Sequence, residues 1–165
     1  MPTLAALYDT HSPALYAYLL SLVRNEPDTL DLLQEVFARI ARRPELLAAV
    51  DNHRSFLLRM AHNLAIDLIG SRAVHAGTIA RVSQEPVHLF ESEPEPELNA
   101  FAASLAGAIA ELPDEQRAIV HIKLWENMTF SAIGETLSIP ANTAASRYRY
   151  AIEKLRALLR PLSEP

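Results

Sequence analysis

The stretch MTFSAIGETLSIPANTAASRYRYAIEKLR, Met128 to Arg156, decides how this chain is read. Thr129 is a residue type that caps helices, and behind it Phe130, Ile133 and Leu137 recur at helical spacing. Ser138-Ile139-Pro140 then turns the chain sharply, because the residue before a proline is pushed out of the α region. Asn142 or Thr143 can cap a second, longer helix whose basic residues arrive late. The first turn of such a helix presents backbone N–H groups suited to a phosphate. Ala144, Ala145, Ser146 and Arg147 follow, at the end of a recognition helix that enters the major groove. An antiparallel helix pair with a solvated second helix has the same pattern, so spacing alone leaves both readings open.

Charge distribution favours the nucleic-acid reading more than net charge does. The 165 residues carry a formal net charge of −5. Residues 74–111 hold one arginine and six glutamates, whereas residues 112–165 carry seven basic and six acidic groups. Within 141–160, Arg147, Arg149, Lys154, Arg156 and Arg160 face Glu153 alone. The acidity is therefore mostly a property of the middle of the chain, and the last helix is locally basic.

Working outward, nearly every apolar pattern has helical period. Leu4, Leu7 and Tyr8 begin one helix, which Ser12-Pro13 restarts, and Leu15, Tyr16, Leu19, Leu20 and Val23 continue the stripe. Asn25-Glu-Pro27 breaks it. Asp28 then caps a helix with Leu30, Leu33, Val36, Phe37 and Ile40 on one face. A short helix follows Pro44. A longer one after Asp51-Asn52-His53 turns Phe56, Leu57, Met60, Ala61, Leu64 and Leu68 inward and fades at Gly70.

The periodicity lapses from Val74 to Asn99, where ESEPEPE, Glu91 to Glu97, combines like charge with proline and is expected to be extended. A second helical block resumes over Leu98–Leu112, breaks at Pro113 and continues near Asp114–Glu126. The expected fold is all-α: two small helical domains, 1–75 and 100–162, joined by an acidic flexible linker over 76–99, with the second a helix-turn-helix.

Enzymatic and metal chemistry find no support in the residues. His11, His53, His62, His75, His88 and His121 include no i, i+4 pair that a helix could aim at a metal, and there are no cysteines. Neither a Gly-rich phosphate loop nor a G-x-S-x-G elbow occurs. Asn63 and Asp67 lie at i, i+4, and a side-chain hydrogen bond on a helix face accounts for them better than catalysis. The N-terminus lacks a basic region before its apolar residues, and no apolar run approaches the roughly 18 residues that span a bilayer. The expectation is a cytoplasmic protein that is no enzyme, needs no cofactor or metal and does not insert in membranes.

LPDEQRAIVHIKLWENMTFSAIGETLSIPANTAASRYRYAIEKLRALL, Leu112 to Leu159, resembles the promoter-binding C-terminal domain of bacterial extracytoplasmic-function sigma factors. That family reads LP-x-x-QR, an S/T-aromatic-x-E-I-A helix, a G-I-P turn and G-T-V-K-S-R. Leu112-Pro113, Gln116-Arg117, Thr129-Phe130, Ile133, Ile139-Pro140, Thr143 and Ser146-Arg147 fall in register. The string DLLQEVF, Asp31 to Phe37, resembles the family's polymerase-gripping helix, and RSFLLRMAHNLAIDLIGSR, Arg54 to Arg72, the helix that opens and reads the downstream (−10) element.

The resemblance implies core RNA polymerase and promoter DNA as partners, and leaves an anti-sigma factor open. Polymerase contact falls on Asp31, Gln34 and Glu35. The downstream element falls on Arg54, Arg59, His62, Asn63 and Arg72, and the upstream (−35) element on Asn142, Thr143, Ser146, Arg147, Arg149 and Tyr150. The chain departs from the pattern where basic residues are usual: Ala145 and Tyr150 in the last helix, and His62 in the downstream reader. Ser138 and Asn127 replace glycines. Fewer phosphate-neutralising side chains weaken the salt-dependent part of binding. A stand-alone helix-turn-helix repressor and a sigma-like interaction module without promoter activity are the rival readings.

Overall fold

The structure, a computed structural model, describes residues 2–76 and 96–163, with side chains over 2–74 and 100–160. Eight helices and no strand occur among the described residues: α1 (Leu4–Val23), α2 (Glu26–Arg42), α3 (Glu45–Ala48), α4 (His53–Ala76), α5 (Pro96–Ala110), α6 (Asp114–Trp125), α7 (Phe130–Leu137) and α8 (Ala141–Ser163). The chain divides into two compact units, Met1–Glu85 and Pro86–Pro165. The expected linker lies mostly outside the described residues; its end does not stay extended, since α5 already begins at Pro96.

In the N-terminal unit α1 packs on both α2 and α4, and α2 also packs on α4. The helix starts differ from expectation in two places. Thr3 caps α1 by accepting from the Ala6 N–H (3.1 Å), and the helix runs unbroken through Pro13. Proline forfeits one backbone bond, but the buried Leu7 and Leu15 on either side hold the segment against its neighbours. Asn25, not Asp28, caps α2, its Oδ1 accepting from the Asp28 N–H at 3.0 Å. Pro27 therefore lies in the first turn, where its missing donor costs nothing.

The core of this unit is Leu15, Tyr18, Leu19, Leu22, Leu33, Val36, Phe37, Ile40, Leu57, Leu58, Ala61 and Ala65. Leu4, Tyr8 and Leu30, expected to face inward, are 39 %, 45 % and 49 % exposed. In α4 the buried stripe is Leu57, Leu58, Ala61 and Ala65, whereas Phe56, Met60, Leu64 and Leu68 are only half-buried. Asn52 caps that helix through Ser55 N–H (3.1 Å), and it passes Gly70 to reach Ala76 because glycine lowers helix propensity without terminating a packed helix.

In the C-terminal unit α8 is the central strut, packed by α5, α6 and α7. Ala108, Ile109, Leu112, Val120, Ala151 and Leu155 form a common core, with Tyr148 and Ile152 against it. Arg117 is buried and donates to the carbonyls of Ala110 (3.3 Å) and Leu112 (3.0 Å) and to Asp114 (2.5 Å). It thereby satisfies the Ala110 carbonyl, which the end of α5 leaves without a helical partner, and the Leu112 carbonyl in the turn that follows.

Candidate promoter and polymerase interface

The helix-turn-helix is assembled as the residues dictate. Thr129 Oγ1 accepts from the Ala132 N–H (3.1 Å) and starts α7. Ser138 ends it in the left-handed region (φ 59), and the Ile139 N–H returns to the Gly134 carbonyl at 2.9 Å. Asn127 is likewise left-handed at φ 51. Gly134 was not singled out from sequence. A Cβ there would lie 2.6 Å from the Ile139 carbonyl oxygen and 3.2 Å from the Ala141 nitrogen, so only glycine lets the turn close onto α7. The obstruction comes from the backbone of the turn itself and of the first residue of α8.

Pro140 precedes the first turn of α8, its carbonyl accepting from the Ala144 N–H (3.1 Å). Asn142 and Thr143 accordingly sit inside that turn and do not cap it. Ala144 is fully buried, so it belongs to the core and not to the groove-facing set expected from its position. The buried stripe of α8 is Ala144, Ala151 and Leu155. At about 100° per residue, Thr143, Ser146, Arg147 and Tyr150 form one stripe away from it, with Asn142 and Arg149 on its flank. The structure thus gathers all six expected upstream-element residues on one arc.

Two contacts modify that arc. Arg147 lies 3.4 Å from the Glu115 carboxylate of α6, a pair the sequence did not announce. The Arg149 guanidinium sits over the Tyr150 ring at 5.3 Å, holding a cation and an exposed aromatic side by side. Behind the arc, Lys123 donates to the Met128 carbonyl (3.0 Å) and lies 4.5 Å from the Phe130 ring, which itself meets Tyr148 at 5.5 Å. The Lys123 contacts tie α6 to the start of α7, and the Phe130–Tyr148 contact braces α7 against α8.

On α2, Asp31 and Gln34 are exposed and Leu30 shares their face. Glu35 accepts from Arg39 (2.9 Å) and Arg42 (3.1 Å), and the Arg39 bond, the larger influence, helps hold its carboxyl below the usual range. Leu30, placed by its spacing on the apolar face of α2, instead stands exposed beside Asp31 and Gln34.

The downstream-element residues are spread along α4. Arg59 and Asn63 are exposed, and His62 between them is half-buried. The His62 Nδ1 lies 2.7 Å from the hydroxyl of Tyr18, a buried residue of α1. Arg54 and Arg72 lie toward the two ends of α4, about 27 Å apart at 1.5 Å per residue. Arg72 pairs with Asp28 of α2. The structure therefore brings Arg59, His62 and Asn63 together and leaves Arg54 and Arg72 apart from them. Among the described residues no group of acidic or histidine side chains could hold a metal ion, and no helix is long and apolar enough to cross a membrane.

These sites coincide with two matched segments. Residues 7–74 match Sigma-70 region 2, and residues 108–157 match Sigma-70 region 4. Over 160 residues the chain is 29 % identical to the ECF RNA polymerase sigma factor SigL of Mycobacterium tuberculosis, covering 95 % of this chain and 89 % of that protein. It is 26 % identical to SigW of Bacillus subtilis, covering 96 % and 89 %. Among solved structures, the sigma factor RpoE of Bartonella quintana, determined with the anti-sigma factor NepR, superposes with a TM-score of 0.71. That match has 18 % identity over 90 % of this chain and 91 % of that one. Region 2 and region 4 in this order, on an all-helical chain with relatives of matching length, have one meaning: the chain belongs to the extracytoplasmic-function family of RNA polymerase sigma factors.

Proposed function

We propose a division of labour within this sigma factor, which binds core RNA polymerase and directs it to promoters. Residues 1–75 act as the unit that holds polymerase and the opened downstream element, and residues 100–162 as the unit that reads the upstream element. Polymerase contact falls on the outward face of α2, with Asp31, Gln34 and Glu35 joined by Leu30. The downstream element falls on α4 around Arg59, His62 and Asn63, with Arg54 and Arg72 toward its ends. The upstream element falls on Asn142, Thr143, Ser146, Arg147, Arg149 and Tyr150.

The observation that carries this reading is the arc on α8, where six polar or aromatic side chains lie outside the buried stripe of Ala144, Ala151 and Leu155. An open groove of about 640 Å3 between Phe101, Leu105, Leu124, Ile152 and Leu159, rimmed by Arg156 and Arg160, suits an apolar helix with an acidic flank. We assign it to an anti-sigma factor. The protein works beside polymerase in the cytoplasm and catalyses nothing itself.

Run-off transcription with core polymerase and a randomised promoter library tests the reading. Selected promoters should carry two separated elements, and Arg147→Ala should lose preference at the upstream one only. Promoters selected with a single element, or tight palindrome binding without polymerase, would reject it.

A further inference from the structure

Arg149 and Tyr150 lie next to one another on the solvent side of α8, and their side chains meet. Both are exposed, Tyr150 to 54 %, and the central carbon of the Arg149 guanidinium sits over the Tyr150 ring, 5.3 Å from its centroid. Among the described residues Arg149 makes no ion pair and no hydrogen bond. Glu153 stands exposed one turn further on, at the i, i+4 spacing of a helix pair, yet among the described residues it is not paired with Arg149. That order, with the cation N-terminal to the carboxylate, is the weaker one on a helix. A neutral ring face holds an arginine without consuming its N–H donors or its charge, so both remain for a ligand. Arg147 differs: the Glu115 carboxylate lies 3.4 Å from it and already answers its charge.

The ligand class follows from position. A recognition helix sets its N-terminal residues on base edges. Arg149 is eight residues beyond Ala141, about 12 Å along the axis, and the major groove is itself about 12 Å wide. A side chain there faces the phosphate backbone that borders the groove. We infer that Tyr150 is a positioning residue for Arg149: its ring holds the guanidinium outward, as the charged contact to a phosphate flanking the upstream element. The inference rests on the assignment of the upstream element to α8 and adds a division within the arc. Arg147 and its N-terminal neighbours read bases, whereas Arg149 supplies a grip that is independent of sequence. Tyr150 carries no charge and contributes through Arg149.

The test titrates holoenzyme, assembled from the full chain and core polymerase, on promoters that carry the upstream element, over a range of salt concentrations. Arg149→Gln should lower the salt slope by about one and weaken binding by the same factor on every upstream sequence. Tyr150→Ala should weaken binding roughly two- to fivefold, the range of an exposed cation–π contact. Tyr150→Phe keeps the ring face and should recover most of that loss. In the Arg149→Gln background Tyr150→Ala should add nothing. An undiminished slope in Arg149→Gln, or a loss that varies with the upstream bases, would overturn the phosphate contact. An equal Tyr150→Ala loss without Arg149, or no recovery with phenylalanine, would mean that Tyr150 touches DNA itself and would overturn its positioning role. Arg147→Ala is the control for the underlying assignment. If Arg147→Ala weakens upstream-element binding while Arg149→Gln does not, only the inference fails; if neither does, the assignment of the upstream element to α8 falls with it.

Discussion

Gly107 and Gly134 sit in helices of the same unit and should answer oppositely to one added methyl group. Nothing lies within 4 Å of a Cβ at Gly107, so Gly107→Ala should stabilise the C-terminal unit by about 0.5–1 kcal/mol through helix propensity. At Gly134 the methyl meets the Ile139 carbonyl at 2.6 Å, and Gly134→Ala should cost about 1–3 kcal/mol. Denaturant unfolding followed by circular dichroism separates them; equal shifts would mean the turn is looser than described. His121 is buried against Trp125 with ring centroids 5.1 Å apart, and burial depresses its pKa to about 4. The unfolded chain binds this proton near the ordinary value of 6.5 and the folded chain only near 4. The contribution of neutral His121 to stability is thus intact above about pH 6.5. It falls as pH drops toward 4, at up to about 1.4 kcal/mol per pH unit. His121→Leu should flatten that dependence in unfolding series between pH 7.5 and 4.5, and an unchanged slope would assign the acid sensitivity to carboxylates.

At the scale of the element, the faces proposed for α8 and α2 each carry a charge already engaged within the chain. On the proposed reading Arg147 leaves Glu115 to meet DNA, and α6 then competes with the promoter for the guanidinium. An exposed pair of this kind is worth roughly 0.2–1 kcal/mol, and Glu115→Gln should raise holoenzyme affinity for upstream-element promoters by about one and a half to fivefold. Loss of affinity in a promoter-binding titration would show that Glu115 instead orients Arg147 for its contact. On α2, Glu35 is held by Arg39 and Arg42. Glu35→Lys breaks both bonds and sets three cations together, so polymerase capture should fall while helical content stays constant. Undiminished co-purification with core polymerase would remove Glu35 from the interface.

Across the whole molecule, the charge is low and unevenly placed. The net of −5 and the neutral Ala145 and Tyr150 in the recognition helix limit what the free protein can do with DNA. The free chain should therefore bind a promoter duplex weakly and lose that binding steeply with salt. On the proposed division of labour, both units engage together once the chain is bound to core polymerase, and linked contacts raise the effective concentration of each for its own element. Titrations at two salt concentrations, with and without core polymerase, measure the difference. Nanomolar binding of the free protein at physiological salt would mean that the α8 arc suffices alone.

The sequence by itself determined the helical class, the Thr129 cap and the sharp turn over Ser138-Ile139-Pro140. Each depends on residues within a few positions of one another, whose spacing and backbone preferences act locally. It also carried the order of the two resembling blocks. Only the tertiary structure decided that Pro13 lies inside a helix, that Leu30 faces outward and Ala144 inward, and that Gly134 admits no side chain. The same holds for the pairings of Arg72 with Asp28, Arg147 with Glu115 and His62 with Tyr18. A helical period specifies a broad apolar arc, but the part of it that is covered depends on a neighbour supplied from far along the chain. Pairs separated by 44 residues, as both Tyr18–His62 and Asp28–Arg72 are, leave no periodic trace because packing alone brings them together.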